Sequence, residues 1–317
     1  MSTTHTWTFD APTGAYRNHK LSERVFRAAI AQTKVMQFVP EVEGGFGMNM
    51  GESVTMIRAA NIEEPASAVL EETLAIPEDP FSVSTSQILL QEIGRKVVWT
   101  ARAANRAPFD LPEVVIEKIR DQLALVLDSL AIAAFTGAQT KAIPDGEASL
   151  TFDTDGTAST QATVNGNYFH VEQIRDYLYS TVNAPTFEGD EYFCLASTKF
   201  LRGLKQAREF EIWNRYTTPE YKANGEVGKI EGIRFVEINN TSALSGSLGA
   251  GSVLGEAVFF GRDAVRMAAG VVPEIFREMP TDGGRHNVAG FYGDIGFGEV
   301  FPTANAGEAR IVHVTSA

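Results

Sequence analysis

The chain has 317 residues, 44% of them hydrophobic, with 27 basic against 40 acidic side chains and a net charge of −13. That is enough chain for two core-bearing units and enough apolar content for a packed interior, which excludes global disorder. The acidic balance repels a phosphate backbone at long range, which argues against sequence-specific nucleic-acid binding, and no apolar run reaches the length of a membrane span.

The first residues, MSTTHTWTFDAPTG, lack the charged and apolar regions of a signal peptide, so a soluble protein kept in a cytoplasm is expected. Residues 1 to 20 predict an extended arm. Leu21, Val25, Ala28, Ala29, Gln32 and Met36 fall near one stripe and predict a helix over 21–39, with Ser22 as N-cap and Pro40 as its stop. A glycine-rich stretch, EVEGGFGMNMGES, follows. SVTMIRAA alternates as a strand, NIEEPASAVLEETLAIPEDPF is acidic and broken by proline, and SVSTSQILLQEI and GRKVVWTARA read as strands. Together they predict an outstretched two-stranded limb with an irregular tip. Such a limb has little core of its own and makes sense lying on a neighbouring subunit.

The clearest element is DLPEVVIEKIRDQLALVLDSLAIAAFTG. Asp110 can cap it, Glu113 stands three residues on as in a capping box, and Pro112 fits the first turn. Val115, Ile119, Leu123, Leu127, Leu130 and Ala134 form one stripe, with Glu117, Arg120, Asp121 and Asp128 mostly off it. Gly137 ends a strut roughly 35 Å long. Residues 138–167, rich in Gly, Thr, Asp and Asn, are assigned no element. NYFHVEQIRDYLYSTVN (167–183) predicts a helix, DEYFCLAST a buried strand, and TKFLRGLKQAREFEIW a helix capped by Thr198. IRFVEINN is a strand, AVFFGRDAVRMAA a strand leading into a short helix, and VPEIFREMP, HNVAGFYGDIGFGEVF and EARIVHVT are strand-like. The class is α+β, with strands clustered late around one dominant helix.

Few residues carry a chemical signal. NGEVGKIEGIR (224–234) looks like a phosphate cradle, but only two residues separate Gly225 from Gly228-Lys229, and Ile230 replaces the hydroxyl that would hold magnesium. A strand follows where a helix N-terminus is required, so a turn is expected. SLTFDTDGTAST contains Asp153-Thr154-Asp155-Gly156-Thr157 and resembles the first signature of haloacid-dehalogenase-like phosphatases. That resemblance implies Asp153 as nucleophile and Asp155 as proton donor, Ser197 or Thr198 and Lys199 or Lys229 on the phosphate, and Asp294 on magnesium. Against it, half the chain precedes the motif, Asp294 has no second acid before Glu299, and Asp-x-Asp-Gly is common in turns. It is kept as the alternative reading. His5, His19, His170, His286 and His313 have no partner at metal-ligand spacing. SGSLG and GAGSVLG miss the nucleophile-elbow and dinucleotide patterns, and the acids from Glu63 to Asp79 match no calcium loop. Cys194, the single cysteine, sits in the apolar run YFCLA and reads as a small buried hydrophobe. No catalytic, cofactor-binding or metal residue is assigned, and no cofactor is expected.

Several stretches carry a different resemblance. NGEVGKIEGIRFVEINN, the preceding FEIWNRYTTPEYKANGE, AVFFGRDAVRMA, GFYGDIGFGEVF and the helix 111–136 resemble, in kind and order, the major capsid proteins of tailed bacteriophages. These have the Hong Kong 97-type (HK97-like) fold, and the likeness is nearest to the branch of phages resembling coliphage N-four. The resemblance implies an N-terminal arm over 1–50, an extended loop over 51–92, a peripheral domain from 93–140 with 270–317, carrying the spine helix, and an axial domain over 141–269. It implies a non-enzymatic virion protein, assembled in the host bacterial cytoplasm into hexamers and pentamers that tile an icosahedral shell around double-stranded DNA. Implied partners are other copies of the chain, a portal at one vertex, a separate scaffold protein, a decoration or cement protein, and DNA touched without specificity. Some relatives weld subunits through a loop lysine. Between Lys34 and Lys96 this chain has none, so no such crosslink is expected.

Overall fold

The structure is a computed structural model describing residues 34–42, 53–60, 62, 69, 76, 78–79, 81–107, 109–187, 189–206, 229–245, 247–249, 251–305 and 307–317. In chain order the elements begin with β1 (Ser53–Ala59), β2 (Val83–Leu89), β3 (Gln91–Thr100), α1 (Ala101–Arg106) and α2 (Leu111–Thr136). They continue with β4 (Lys141–Gly146), β5 (Ser149–Asp153), α3 (Tyr168–Asp176), β6 (Tyr192–Ser197), α4 (Thr198–Gln206), β7 (Lys229–Ile230) and β8 (Ile233–Ile238). Last come β9 (Ala257–Phe260), β10 (Val265–Thr281), β11 (His286–Glu299) and β12 (Ile311–Val314). The described strands form a seven-stranded mixed sheet in the order β5-β4-β12-β9-β6-β8-β7, an antiparallel sheet β10-β11-β3, and the pair β1-β2.

The seven-stranded sheet is buried on both faces, which is why β6 (YFCLAS) and β9 (AVFF) are apolar almost throughout. Successive side chains of a strand point to opposite faces. Cys194 and Ala196 therefore pack with Val171 and Ile174 of α3 and Phe200 and Leu204 of α4. Leu195 between them packs, with Val258 and Phe260, on Ala131, Ile132 and Phe135 of α2 and on Val35 and Val39. The other half of α2 covers the second sheet, where Leu111 and Ile119 meet Trp99, Ala289 and Phe291. One 26-residue helix, about 39 Å long, thus supports both sheets.

Asp110 caps α2, its Oδ1 accepting from the Glu113 N–H at 3.2 Å. The expected stripe holds for Ile119 but rotates further on. The buried set there is Asp128, Ala131, Ile132 and Phe135, not Leu127, Leu130 and Ala134. Asp128, expected outside the stripe, is fully buried.

Other elements also depart from the sequence reading. AVRMAA is the start of β10, not a short helix: Val265, Arg266 and Met267 pair with Glu299, Gly298 and Phe297, so a ladder overrides the local helix preference of alanine. Residues 141–153 form the hairpin β4-β5, hidden in the sequence by Pro144, Asp145 and Gly146. GRKVVWTARA stays extended only to Thr100, whose hydroxyl accepts from the Ala103 N–H and caps α1. QEI belongs to β3, since the chain breaks at Leu90. Of the helix expected over 21–39, the described part is a single 3-10 turn, Met36–Phe38; residues 21–33 lie outside the described residues. The helix expected over 167–183 is α3 closed by a π-helical turn, Tyr177–Thr181. β12 hydrogen-bonds to β9 and β4, away from the neighbouring late strands β10 and β11.

The β1-β2 limb has an inner face, with Val54 and Ile88 buried against Ala268, and an outer face. Its base lies against β11. At Gly296 an added Cβ would come 2.3 Å from the Leu89 carbonyl oxygen, so only glycine admits this approach.

Candidate functional site

The glycine-lysine stretch resolves first. β7 and β8 are joined by Glu231 and Gly232, whose φ values of 48° and 79° make a two-residue turn of the kind that suits a hairpin. Lys229 Nζ lies 2.9 Å from Glu191 Oε1, and Arg234 Nε lies 2.7 Å from Glu191 Oε2, so the cation that suggested phosphate serves an exposed ion-pair cluster. The earlier glycines, Gly225 and Gly228, lie outside the described residues. Lys229→Ala should cost less than about 1 kcal/mol, as for exposed pairs generally. Gly232→Val, forced into left-handed backbone, should cost about 1–3 kcal/mol. Thermal melts of the two variants check this, and equal melts would refute it.

Asp153 and Asp155 are committed to their own turn. Asp153 ends β5 and its Oδ2 accepts from the Ser159 N–H at 2.7 Å. Asp155 Oδ1 accepts from the Thr157 N–H and hydroxyl, both at 2.9 Å, and these donors hold its carboxyl below the usual range. The other proposed phosphatase residues go elsewhere. Ser197 donates to the Glu256 carbonyl, Lys199 to the Ser252 carbonyl, and Asp294 sits on β11, in the other sheet. The chain does not bring these groups together. Cys194 is buried, and burial pushes its thiol well up.

Two of the histidines turn out to be structural parts. His170 closes the capping box of α3: its Nδ1 accepts from the Asn167 N–H at 3.2 Å, while Nε2 lies 2.9 Å from the Gly146 carbonyl. His313 lies in a buried polar chain that the sequence reading did not find. Its Nδ1 is 3.1 Å from Lys141 Nζ and its Nε2 is 2.5 Å from Glu256 Oε1. Lys141 Nζ also donates to the Thr136 carbonyl at the end of α2, and Glu256 Oε2 accepts from the Ser245 N–H. Lysine can only donate, so His313 accepts at Nδ1 and donates from Nε2. Burial pulls the His313 and Lys141 pKa values down. Glu299, at the end of β11, acts on Lys141 through space, and burial pushes its carboxyl up to about 7. These four residues are scattered from position 141 to 313. The one local signal is a lone polar residue in an apolar strand, as in IVHV. The chain links β4, β12, the residue before β9 and the end of α2, so it acts as a joint.

The surface carries a further feature. On the outer face of the limb, Ile57 is 79% exposed, Val83 56% and Leu89 63%. Cross-strand register places all three on one side, Ile57 opposite Thr85, Val83 opposite Ala59 and Leu89 opposite Ser53. Three large apolar side chains exposed together on one face of a two-stranded limb, among Thr55, Thr85 and Gln87, suit a contact surface.

No protein-family model matches the sequence, and no curated protein matches it either. Solved structures do match. The capsid of Ralstonia phage GP4 aligns over 100% of this chain and 98% of its own, with a TM-score of 0.66 at 14% identity. The capsid asymmetric unit of cyanophage Pam1 aligns over 98% of this chain and 100% of its own, at a TM-score of 0.69 and 14% identity. The acid-stable capsid of the Helicobacter pylori bacteriophage KHP30 aligns over 95% of both chains, at 0.69 and 10%.

The chain has the Hong Kong 97-type capsid fold. At these identities the likeness is one of fold. It covers the limb, the strut α2 and both larger sheets together, since the alignments run nearly end to end.

Proposed function

We propose that the chain is the major capsid protein of a tailed bacteriophage, and that copies of it assemble through hexamers and pentamers into the icosahedral head around the DNA. The single observation that carries this is the end-to-end match to subunits of phage capsids, over 95–100% of this chain. The exposed apolar side chains of the limb support it, because a neighbouring copy would cover Ile57, Val83 and Leu89. The acidic net charge suits a wall that contains DNA without gripping it.

The division we propose is an arm over 1–50, an extended loop over 51–92, a peripheral domain from 93–140 with the strands after 270, and an axial domain over 141–269. β12 is counted with the axial domain, because its hydrogen bonds run to β9 and β4. The turn and strand around IEGIRFVEINN support placement beside the phages resembling coliphage N-four. A separate scaffold, a decoration protein and a portal complete the proposed partners.

Electron microscopy and size-exclusion chromatography of the expressed chain test this. Shells, tubes or capsomer rings are expected. A compact monomer that hydrolyses a phosphate ester with magnesium, and loses this on Asp153→Asn, would overturn the reading. With no lysine between Lys34 and Lys96, boiled mature particles should run as one monomer band, and a covalent ladder would contradict that expectation.

A further inference from the structure

The base of the limb is fixed to β10 and β11, where Val54 and Ile88 pack on Ala268 and Leu89 passes close over Gly296. A second tie lies towards the far end of β1. Side chains of a strand alternate between faces, so Arg58 shares the inner face with Val54 and Met56, and it stands opposite Ser84. Its guanidinium meets the carboxylate of Glu308, with Nη1 3.8 Å from Oε2 and the two side chains only 11% and 12% exposed. At that distance the contact is an ion pair without a hydrogen bond. Arg58 Nε and Nη1 are both buried, and neither has a hydrogen-bond partner among the described residues.

The loop that carries Glu308 is itself anchored. Glu308 Oε2 accepts from the Thr303 hydroxyl, and the Glu308 N–H donates to the Asn305 carbonyl. The Gly307 N–H donates to the Val182 carbonyl, just after the π-helical turn. The Gly261 N–H, just after β9, donates to the Arg310 carbonyl at 2.9 Å, and Arg310 Nη1 donates to the Arg262 and Asp263 carbonyls, each at 3.2 Å. The limb is therefore tied at its base to β10 and β11, and through Arg58 to the seven-stranded sheet.

A buried ion pair offsets its desolvation only when hydrogen bonds satisfy the remaining donors. Two guanidinium nitrogens go unsatisfied here, so the pair adds little net stability. What it adds is direction, because a buried cation is tolerated only where a carboxylate faces it. We propose that Arg58 and Glu308 are a positioning pair, a latch that sets the angle of the limb against its own body. Its incomplete hydrogen bonding makes the latch releasable, since a guanidinium that leaves the carboxylate gains hydrogen bonds from water. The consequence for assembly rests on the capsid reading: the latch presents Ile57, Val83 and Leu89 to a neighbouring copy at one angle, and so favours closed shells over tubes and open sheets.

The test places spin labels on the full expressed chain at Ala59→Cys and Asn305→Cys, two exposed positions; the native Cys194 is buried and stays unlabelled. The labelled parent should give one narrow distance distribution by pulsed electron spin resonance. Arg58→Glu should widen it about twofold by setting two carboxylates against each other, and adding Glu308→Arg should restore it. Arg58→Met keeps the apolar stem and decides even where the reversed charge prevents folding. It should widen the distribution with a melting temperature within about 3 °C of the parent. An unchanged width in Arg58→Met, or a wide distribution in the folded charge-swapped protein, overturns the latch. Electron microscopy reads the consequence. Closed shells should fall about tenfold against tubes and sheets in Arg58→Glu and return with the swap. Equal shell yields in the parent and Arg58→Glu overturn the assembly step. A parent that assembles nothing overturns the capsid reading, while the distance distributions still decide the latch.

Discussion

Glu256→Ala should destabilise the fold by about 4 kcal/mol, read from the shift of a chemical denaturation curve. Glu256 is 8% exposed and accepts from the Ser245 N–H and from His313 Nε2. Alanine would leave both donors buried and unpaired, and would strip Lys141 of one of the two carboxylates, Glu299 and Glu256, that act on it. Glu256→Gln should cost about half as much. Its amide oxygen can still accept from Ser245, but its NH₂ would face His313 Nε2–H. The ring cannot escape by changing tautomer, because a proton on Nδ1 would then face the Lys141 ammonium. Equal losses for the alanine and glutamine variants would sink the tautomer assignment.

The same joint sets a pH dependence whose two parts oppose each other. His313 has a folded pKa below its unfolded value near 6.5, so the stability tied to its neutral ring is full above that value and is lost as pH falls below it. Glu299 has a folded pKa raised from 4.5 to about 7. It binds its proton sooner in the folded state, so its contribution grows as pH falls from about 7 towards 4.5. In wild type the Glu299 contribution therefore offsets part of what His313 loses between pH 7.5 and pH 5. Glu299→Gln removes that offset and should lose about 2 kcal/mol more than wild type over that interval, allowing for solvent near the carboxyl. Parallel profiles for the two proteins would refute the compensation.

What could be read before folding followed from local rules. α2 was visible because its cap, first-turn proline and apolar spacing lie within one window, and the limb because SVTMIRAA and SVSTSQIL alternate. The turn at Glu231-Gly232 was visible because glycine before an apolar run has few other uses. The failures are non-local. AVRMAA has the composition of a helix, and only the partner strand 30 residues later makes it extended. Lys141, with its aliphatic stem under a sheet, looks in sequence like any surface lysine until His313 arrives 172 positions on. Asp128 reads as lying off the apolar stripe, and nothing in its own helix reports what crosses it.

That crossing segment carries the second large expected effect. Asp128→Ala should cost about 3 kcal/mol and free residues 34–42 from the body. Oδ1 of this fully buried carboxylate accepts from the Lys34 N–H at 3.2 Å and the Val35 N–H at 2.9 Å. Lys34 Nζ reaches the Glu237 carbonyl, Val35 and Val39 enter the core, and Phe38 packs against Phe193 with ring centres 4.8 Å apart. Further on, the Val42 N–H donates to the Met267 carbonyl and the Met267 N–H to the Pro40 carbonyl. The segment is therefore a strap across α2, the large sheet and the start of β10, pinned at its first described residue by one carboxylate. Alanine leaves two backbone donors without their acceptor, the Val35 N–H buried and the Lys34 N–H part-buried. Asparagine behaves differently. Its oxygen can accept both bonds, and its NH₂ falls where Oδ2 has no partner to lose. Burial already pushes the Asp128 carboxyl up, so the uncharged amide avoids burying a charge, which offsets part of the cost of its unpaired NH₂, and Asp128→Asn should cost about half as much as the alanine change. Hydrogen exchange of the amides of residues 34–42 reads the strap directly: fast in Asp128→Ala, near wild type in Asp128→Asn. Unchanged protection in the alanine variant would mean that the apolar contacts of Val35, Phe38 and Val39 hold the strap without the carboxylate.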